Sequence, residues 1–395
     1  PDEMARPAQA PAGSGGDPLA HIEEAEVVEE QPPRQSPPPF GASPGKGGAH
    51  ALQTGQVDLQ RMLDNLDCMV PQGSNGLPGL GRINARPHVP EGALYEPRSF
   101  DSEHGSRDYR LFVPSCPPAE LKGLVLMLHG CKQSPDDFAA GTGMNALAEA
   151  HGMVVAYPEQ PGGANISACW NWFEPAHQGR DSGEPAILAG LARELAAEFG
   201  LPSDRIFAAG LSAGGAMAAV LAETYPDVFA AVGIHSGLPY GAARDVASAL
   251  AAMRGQGMAQ APRGTGPGPR VIVFHGDADH TVHVGNADAI VARLRTTGAA
   301  TEHETGTEGG RGWQRIRLAG PDGRPQVESW RIAGAGHAWS GGHPSGSFTD
   351  AGGPSASAEM LRFFGEAQED FRLAFPGCSA KDMLGRSPGW ATPRR

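Results

Sequence analysis

Short, unbroken apolar runs alternate with stretches of helical spacing from Leu124 onward. Gly123 to Leu128 (GLVLML), Met153 to Tyr157, Ile206 to Ala209, Ala230 to His235 and Arg270 to Phe274 read as strands. Continuous apolar runs of this length belong to strands buried on both faces. Met144 to His151, Pro185 to Phe199 and Val284 to Arg295 carry helical spacing, the second through Ile187, Leu188, Leu191, Leu195 and Phe199. Ser106 to Val113 alternates weakly and ends at Pro114, as an early antiparallel edge strand would. Trp313 to Leu318 and Val327 to Ile332 read as strands around the Pro321-Asp322-Gly323 turn, and Ala358 to Phe364 as a closing helix. Alternation of this kind predicts an α/β fold, a mostly parallel sheet with helices on both faces. Loops after the strand C-termini then gather on one edge, where such sheets bind ligands.

Composition divides the chain differently. Residues 1–95 are dominated by Pro, Gly, Ser, Ala and Gln, with an acidic patch from Glu23 to Glu30. Such a segment buries too little apolar surface to offset its chain entropy, so a largely disordered N-terminal tail is expected. Within it, residues 57–66 (VDLQRMLDNL) place Leu59, Met62, Leu63 and Leu66 on one helical face. Residues 96–366 form the expected catalytic domain, 367–395 a short C-terminal tail, and Gly255 to Pro269 a surface loop. The net charge of −13 argues against nucleic acid or an anionic membrane as partner. No apolar run reaches the ~18–20 residues of a membrane span. Pro1 is followed by no basic-then-apolar leader, as in a chain without a secretory signal or one whose signal has been removed. Five cysteines are too few for a disulfide scaffold and too scattered for a zinc pattern. No phosphate loop, metal pattern or cofactor motif is present.

The candidate chemistry begins at Gly210-Leu211-Ser212-Ala213-Gly214, a G-x-S-x-G pattern between the strand Ile206 to Ala209 and an Ala-rich helix reaching Leu221. A nucleophilic serine stands on a tight, strained strand-to-helix bend, and small residues two before and two after let neighbouring backbone pass. The helix N-terminus behind it favours developing negative charge. The alternative, a Gly-rich turn whose Ser212 merely caps the helix, is weighed against by that strand and helix context.

A serine hydroxyl needs a histidine to take its proton and a carboxylate to hold that histidine. In α/β-hydrolases these follow in the order Ser, Asp, His. Asp277 and Asp279 both follow the strand Arg270 to Phe274. Asp279 is favoured as the acid, and Asp277 as a turn residue holding backbone amides. His337, in Gly334-Ala335-Gly336-His337-Ala338-Trp339 after a late strand, is the candidate base. His343 reads as solvated, and His280 and His283 as surface or rim residues. The oxyanion donors expected are the N–H groups of Ala213 and Cys131, the latter following His129-Gly130. His129 is a substrate-side or loop-bracing residue. Trp170, Trp172 and Phe173 are expected either to wall an acyl or alcohol pocket or to form a small core under a long loop, and Trp339 to wall the site. Cys131 and Cys169 lie on two active-edge loops. A disulfide between them would pin one to the other and imply an oxidising compartment, and the sequence leaves open whether it forms.

Through LMLHGCKQSPDDFAAGTGMNALAEAHGMVVAYPEQ, CWNWF, GLSAGGAMAAVLAETYPDVFAAVGIHSGLPY, FHGDADHTV and GAGHAWSGG, the chain resembles the poly(3-hydroxybutyrate) depolymerase family of esterases over roughly Leu111 to Phe364. The resemblance implies an α/β-hydrolase fold and ester hydrolysis by an acyl-enzyme route, with Ser212 as nucleophile, Asp279 as acid, His337 as base and an oxyanion loop around Cys131. It implies an ester substrate such as a hydroxyalkanoate oligomer or polymer, and an extracellular location, since many relatives are secreted. The chain departs from the full depolymerase pattern in showing neither a leader nor a polymer-binding domain after Phe364. The first keeps a cytoplasmic location as the alternative. Together they move the expectation toward soluble oligomers or other small esters, with feruloyl or acetyl-xylan esters as runner-up. A serine peptidase would share the machinery, and a non-catalytic binding protein would have no need of these motifs.

Overall fold

The computed structural model describes residues 85–256, 268–295, 299–320 and 322–366. These fall in one compact unit. The expected helix at 57–66, the tail at 367–395 and most of the tail at 1–95 lie outside the described residues, as do residues 257–267 of the Gly/Pro-rich loop.

Among the described residues ten strands share one sheet: β1 (Leu94–Ser102), β2 (Gly105–Val113), β3 (Gly123–Leu128), β4 (Met153–Pro158), β5 (Ile206–Leu211), β6 (Ala231–His235), β7 (Arg270–Gly276), β8 (Thr301–Glu308), β9 (Arg311–Ala319) and β10 (Pro325–Ile332). Their spatial order is β1-β2-β4-β3-β5-β6-β7-β10-β9-β8. The middle run from β4 to β10 is parallel throughout, and the flanking pairs are antiparallel. The helices are α1 (Pro135–Thr142), α2 (Met144–His151), α3 (Gly183–Glu198), α4 (Ala213–Thr224), α5 (Val246–Met253), α6 (Gly285–Leu294) and α7 (Ala356–Gly365).

Successive side chains of β3 point to opposite faces, and both faces are covered. Leu124, Leu126 and Leu128 join Leu188 and Leu191 of α3 and Met217 and Leu221 of α4. Val125 and Met127 join Phe138 of α1, Met144 of α2, and Met360 and Phe364 of α7. Each such aliphatic side chain contributes roughly 2 kcal/mol by leaving water, which is why the central strands read as unbroken apolar runs.

The periphery differs from expectation. The strand expected at the edge, Ser106 to Val113, lies within β2, one place in from it, because β1 pairs along its whole length. In β1 (LYEPRSFDS) only Phe100 is buried, so its alternation is faint. β8 (TEHETGTE) has no buried residue and pairs only with β9. α1 begins at Ser134, whose hydroxyl accepts from the Asp137 amide, and α5 at an Asp245–Ser248 capping box.

The β9–β10 extension is anchored by a buried carboxylate. Glu328 is fully buried and accepts from Trp330 Nε1 at 2.7 Å, Arg317 Nε at 3.0 Å and Arg362 Nη2, with Arg315 Nη1 at 3.8 Å. Burial pushes its pKa up, and Arg362, Arg315 and Arg317 oppose that. Removing the carboxylate takes away the buried partner that Arg315, Arg317 and Arg362 share and leaves each with its outer one, Glu304, Glu366 and Glu359 respectively. Glu328→Ala is therefore expected to lose ~3–5 kcal/mol in urea unfolding at neutral pH; a loss within the noise of the measurement would show that the network contributes nothing to stability.

Candidate active site

Ser212 occupies the one-residue bend between β5 and α4, with φ 56° and ψ −117°. A non-glycine residue there is strained and persists only where packing over-determines it. The packing is backbone against backbone. A Cβ on Gly210 would collide with the Gly214 carbonyl, and one on Gly214 with the carbonyls of Leu128 and His129. A Cβ on Gly130 would stand 3.6 Å from the Ser212 Cβ, so the loop after β3 passes directly beside the serine. The Ser212 N–H donates to the His235 carbonyl at 2.9 Å. Ala213 opens α4, where an N–H has no intrahelical acceptor and the helix dipole is positive.

The loop after β3 is fixed from several sides. The Gly130 N–H donates to Gln133 Oε1 at 2.9 Å, and Gln133 Nε2 donates to Asp137 Oδ2 at 3.1 Å and the Ser347 carbonyl at 3.0 Å. Lys132, at φ 66°, donates its N–H to the Ser167 carbonyl at 2.7 Å. Cys131 and Cys169 are joined as a disulfide. His129 is fully buried: Nδ1 lies 2.8 Å from the Gly130 carbonyl oxygen, and Nε2 accepts from the Gln160 N–H at 3.1 Å.

Asp279 and His337 meet on loops beyond the C-terminal ends of β7 and β10. His337 Nδ1 lies 2.8 Å from Asp279 Oδ2. Asp279 Oδ1 accepts the N–H groups of Thr281 and Val282 at 2.9 and 2.8 Å, and His275 Nε2 lies 3.5 Å from Oδ2. Burial alone would raise the Asp279 carboxyl. The His337 charge and hydrogen bonds from His275 and His337 outweigh it and hold the group well below the usual carboxylate range. The His337 side chain is 11% exposed. Asp277 is exposed and accepts from the Gly334 N–H at 2.7 Å, pinning the loop that carries His337 rather than its own turn.

The aromatic residues, expected as pocket walls or as a small core, are buried. Trp170 is fully buried, donating Nε1–H to the His129 carbonyl at 3.1 Å. Trp172 and Phe173 pack edge to face within the same core cluster. Trp339 is buried against Phe138 and His235 and donates to Ser357 Oγ at 3.0 Å. A wall needs surface to offer a substrate, and in this structure these rings and His129 spend theirs on protein. Their loop is braced by Glu184, fully buried, which accepts from Gln160 Nε2 at 2.6 Å, Asn171 Nδ2 at 2.7 Å and the Asn171 N–H at 2.8 Å. Sequence pattern alone does not mark Glu184, His235 or Phe348. Phe348 sets its ring edge to face with His337 at 6.5 Å. Among the described residues no group of three or more His, Cys, Asp or Glu side chains is placed to hold a metal ion, and no helix is long and apolar enough to cross a membrane.

Sheet, elbow and loop edge together define an α/β-hydrolase fold. In fold the chain is similar to an acetyl xylan esterase from Aspergillus awamori, with a TM-score of 0.53 at 18% identity over 69% of this chain and 98% of that one. The chain belongs to the PHB depolymerase esterase family, whose model matches residues 107–310, a span that includes Ser212 and Asp279 and ends before His337. It is 32% identical over 257 residues to poly(3-hydroxyalkanoate) depolymerase C of Paucimonas lemoignei, covering 62% of this chain and 61% of that protein. It is 28% identical over 217 residues to a probable acetylxylan esterase A of Aspergillus fumigatus, covering 50% of this chain and 57% of that protein. The chain thus spans about three-fifths of the length of the curated relatives it matches.

Stability should respond to acid through a buried histidine beside this site. Burial, then the charges of His275 and His337, lower His235 from 6.5 to about 3, with Asp279 opposing. The unfolded chain therefore takes up that proton first as pH falls. Above about 6.5 the ring is neutral in both states and its burial carries no proton-linked cost; below that the cost grows until about 3. Asp279, whose folded pKa is depressed, loses its contribution only in stronger acid, below its unfolded value. Lowering the pH from 7 to 5 should cost roughly 2 kcal/mol through His235 alone. Burial lowers His151 as well, so the difference between wild type and His235→Gln in urea titrations at the two pH values isolates the term. Identical pH dependence in both proteins would refute it.

Proposed function

We propose that this protein is a serine esterase that cleaves short-chain hydroxyalkanoate esters, such as 3-hydroxybutyrate oligomers or polymer, through an acyl-enzyme. The observation that carries the reading is the imidazole–carboxylate pair, 2.8 Å apart on loops after β7 and β10, on the same sheet edge as the strained Ser212 after β5. Family membership supports the reaction class, and the match to a poly(3-hydroxyalkanoate) depolymerase at 32% identity supports the acyl group.

The chemistry follows from which atoms are engaged. With His337 Nδ1 on Asp279, Nε2 is left to take the proton as Ser212 Oγ attacks the ester carbonyl. The carbonyl oxygen becomes an alkoxide, and the N–H groups of Ala213 and Cys131 are the donors assigned to it, each worth ~3 kcal/mol in the transition state. Collapse breaks the ester bond, and the departing alkoxide receives the proton from His337. A water molecule, deprotonated by the same imidazole, attacks the acyl-enzyme and releases the hydroxy acid, returning the proton to Ser212. Asp279, kept ionised by its amide donors and by His337, steadies the imidazolium in both halves. The Cys131–Cys169 disulfide supports an oxidising, extracellular setting.

Ser212→Ala should lower turnover of p-nitrophenyl butyrate by up to ~10⁶, and activity persisting near the wild-type level would end the assignment. A panel of 3-hydroxybutyrate oligomers, acetylated xylan and feruloyl esters reads the substrate class. Highest kcat/KM on the oligomers is expected. Preference for acetylated xylan would instead select the reading suggested by the 28% identical acetylxylan esterase relative.

A further inference from the structure

His235 ends β6 beneath the candidate site and is 1% exposed. Two of its atoms reach two different functional loops. Its carbonyl oxygen accepts the Ser212 N–H at 2.9 Å, holding the bend on which the nucleophile stands. Its Nε2 accepts the Ser340 N–H at 3.0 Å, three residues beyond His337. The ring is clamped between Phe274, with centroids 5.8 Å apart and planes at 13°, and Trp339, at 5.0 Å and 24°. The segment behind it is equally tight, since a Cβ on Gly237 would stand 2.8 Å from the backbone of Gly215 in α4.

We propose that His235 is a positioning residue that sets the separation of nucleophile and base, its backbone holding the Ser212 bend and its imidazole holding the loop that carries His337. The inference rests on reading Ser212 and His337 as nucleophile and base. Its logic is geometric. No strand hydrogen bond links β5 to β10, because β6 and β7 lie between them. One residue on β6 nevertheless touches both functional segments. The bond to Ser340 requires a lone pair on Nε2, hence a neutral ring with its proton on Nδ1, which faces Ser236 Oγ at 3.3 Å. Burial, with His275 and His337 nearby and Asp279 opposing, depresses the ring's pKa and keeps it neutral around pH 7. A polar ring placed where an apolar one would pack equally well thereby has a task that Phe could not perform.

The test compares kcat and KM on p-nitrophenyl butyrate for His235→Phe, His235→Gln and Ser212→Ala, with a thermal melt of each. Phe keeps the ring stack and removes the acceptor, and Gln returns an acceptor oxygen close to the place of Nε2. His235→Phe should lose ~100-fold in kcat, the scale of a 1 Å misplacement, with KM within about twofold. His235→Gln should recover to within ~5-fold of wild type, a rescue that a purely packing role would not give. A folded His235→Phe with kcat near wild type, or a Gln variant no better than Phe, would overturn the proposal. Should His235→Phe fail to fold, the nitrogen-15 spectrum of the wild-type imidazole decides: an unprotonated Nε2 at pH 7 supports the proposal and a protonated one sinks it. Retained activity in Ser212→Ala would instead remove the underlying assignment, so the two failures are told apart.

Discussion

The constraint on which this site depends is the absence of side chains at a few backbone crossings. Gly214 runs against the Leu128 and His129 carbonyls, Gly210 against Gly214, and Gly130 beside Ser212. Dispersion and sterics act over tenths of an ångström at such contacts, so a single methyl group would drive α4 away from the loop after β3. That approach places the start of α4 and the Cys131 segment around one spot. The strain at Ser212 is tolerated because both flanking elements are buried along their length, β5 completely and α4 at nearly every position.

Electrostatics then divides the labour among buried polar groups. Asp279 is stripped of water but receives two backbone N–H groups and two histidines, so its charge survives burial. Among the described residues no carboxylate lies within hydrogen-bonding range of His235, and burial keeps it neutral. Glu184 and Glu328, both fully buried, are each surrounded by donors, one tying the aromatic loop to α3 and the other tying β9 and β10 to α7. The polar groups around the site thus hold loops, and the aromatic rings of Trp170, Trp172 and Phe173, for which the sequence left open a pocket wall or a small core, are buried among them.

What was legible in the sequence follows burial. β3, β4, β5, β6 and β7 are almost wholly buried, and each announced itself as an apolar run. β8 was invisible because its order comes from pairing with β9, a long-range contact that leaves no local pattern in TEHETGTE. α1 and α5 did carry local signals, Ser134-Pro135 and the Asp245–Ser248 box, which weigh more than apolar spacing in helices this short. At the site, chain position was enough to nominate Ser212, Asp279 and His337. It could not reveal which way Trp170 or Trp339 faces, or that Asp277 reaches across to Gly334, since those depend on neighbours distant in sequence.

The cystine at Cys131 and Cys169 has a consequence before the native state exists. The two positions are 38 residues apart, and α1, α2 and β4 all lie between them. Once closed, the bond turns that whole crossover into a covalent ring. In the chain-entropy picture a ring of this size removes conformers from the denatured ensemble worth about 4 kcal/mol at room temperature. The loop after β3 and the loop that carries Cys169 would then begin each refolding attempt already neighbours.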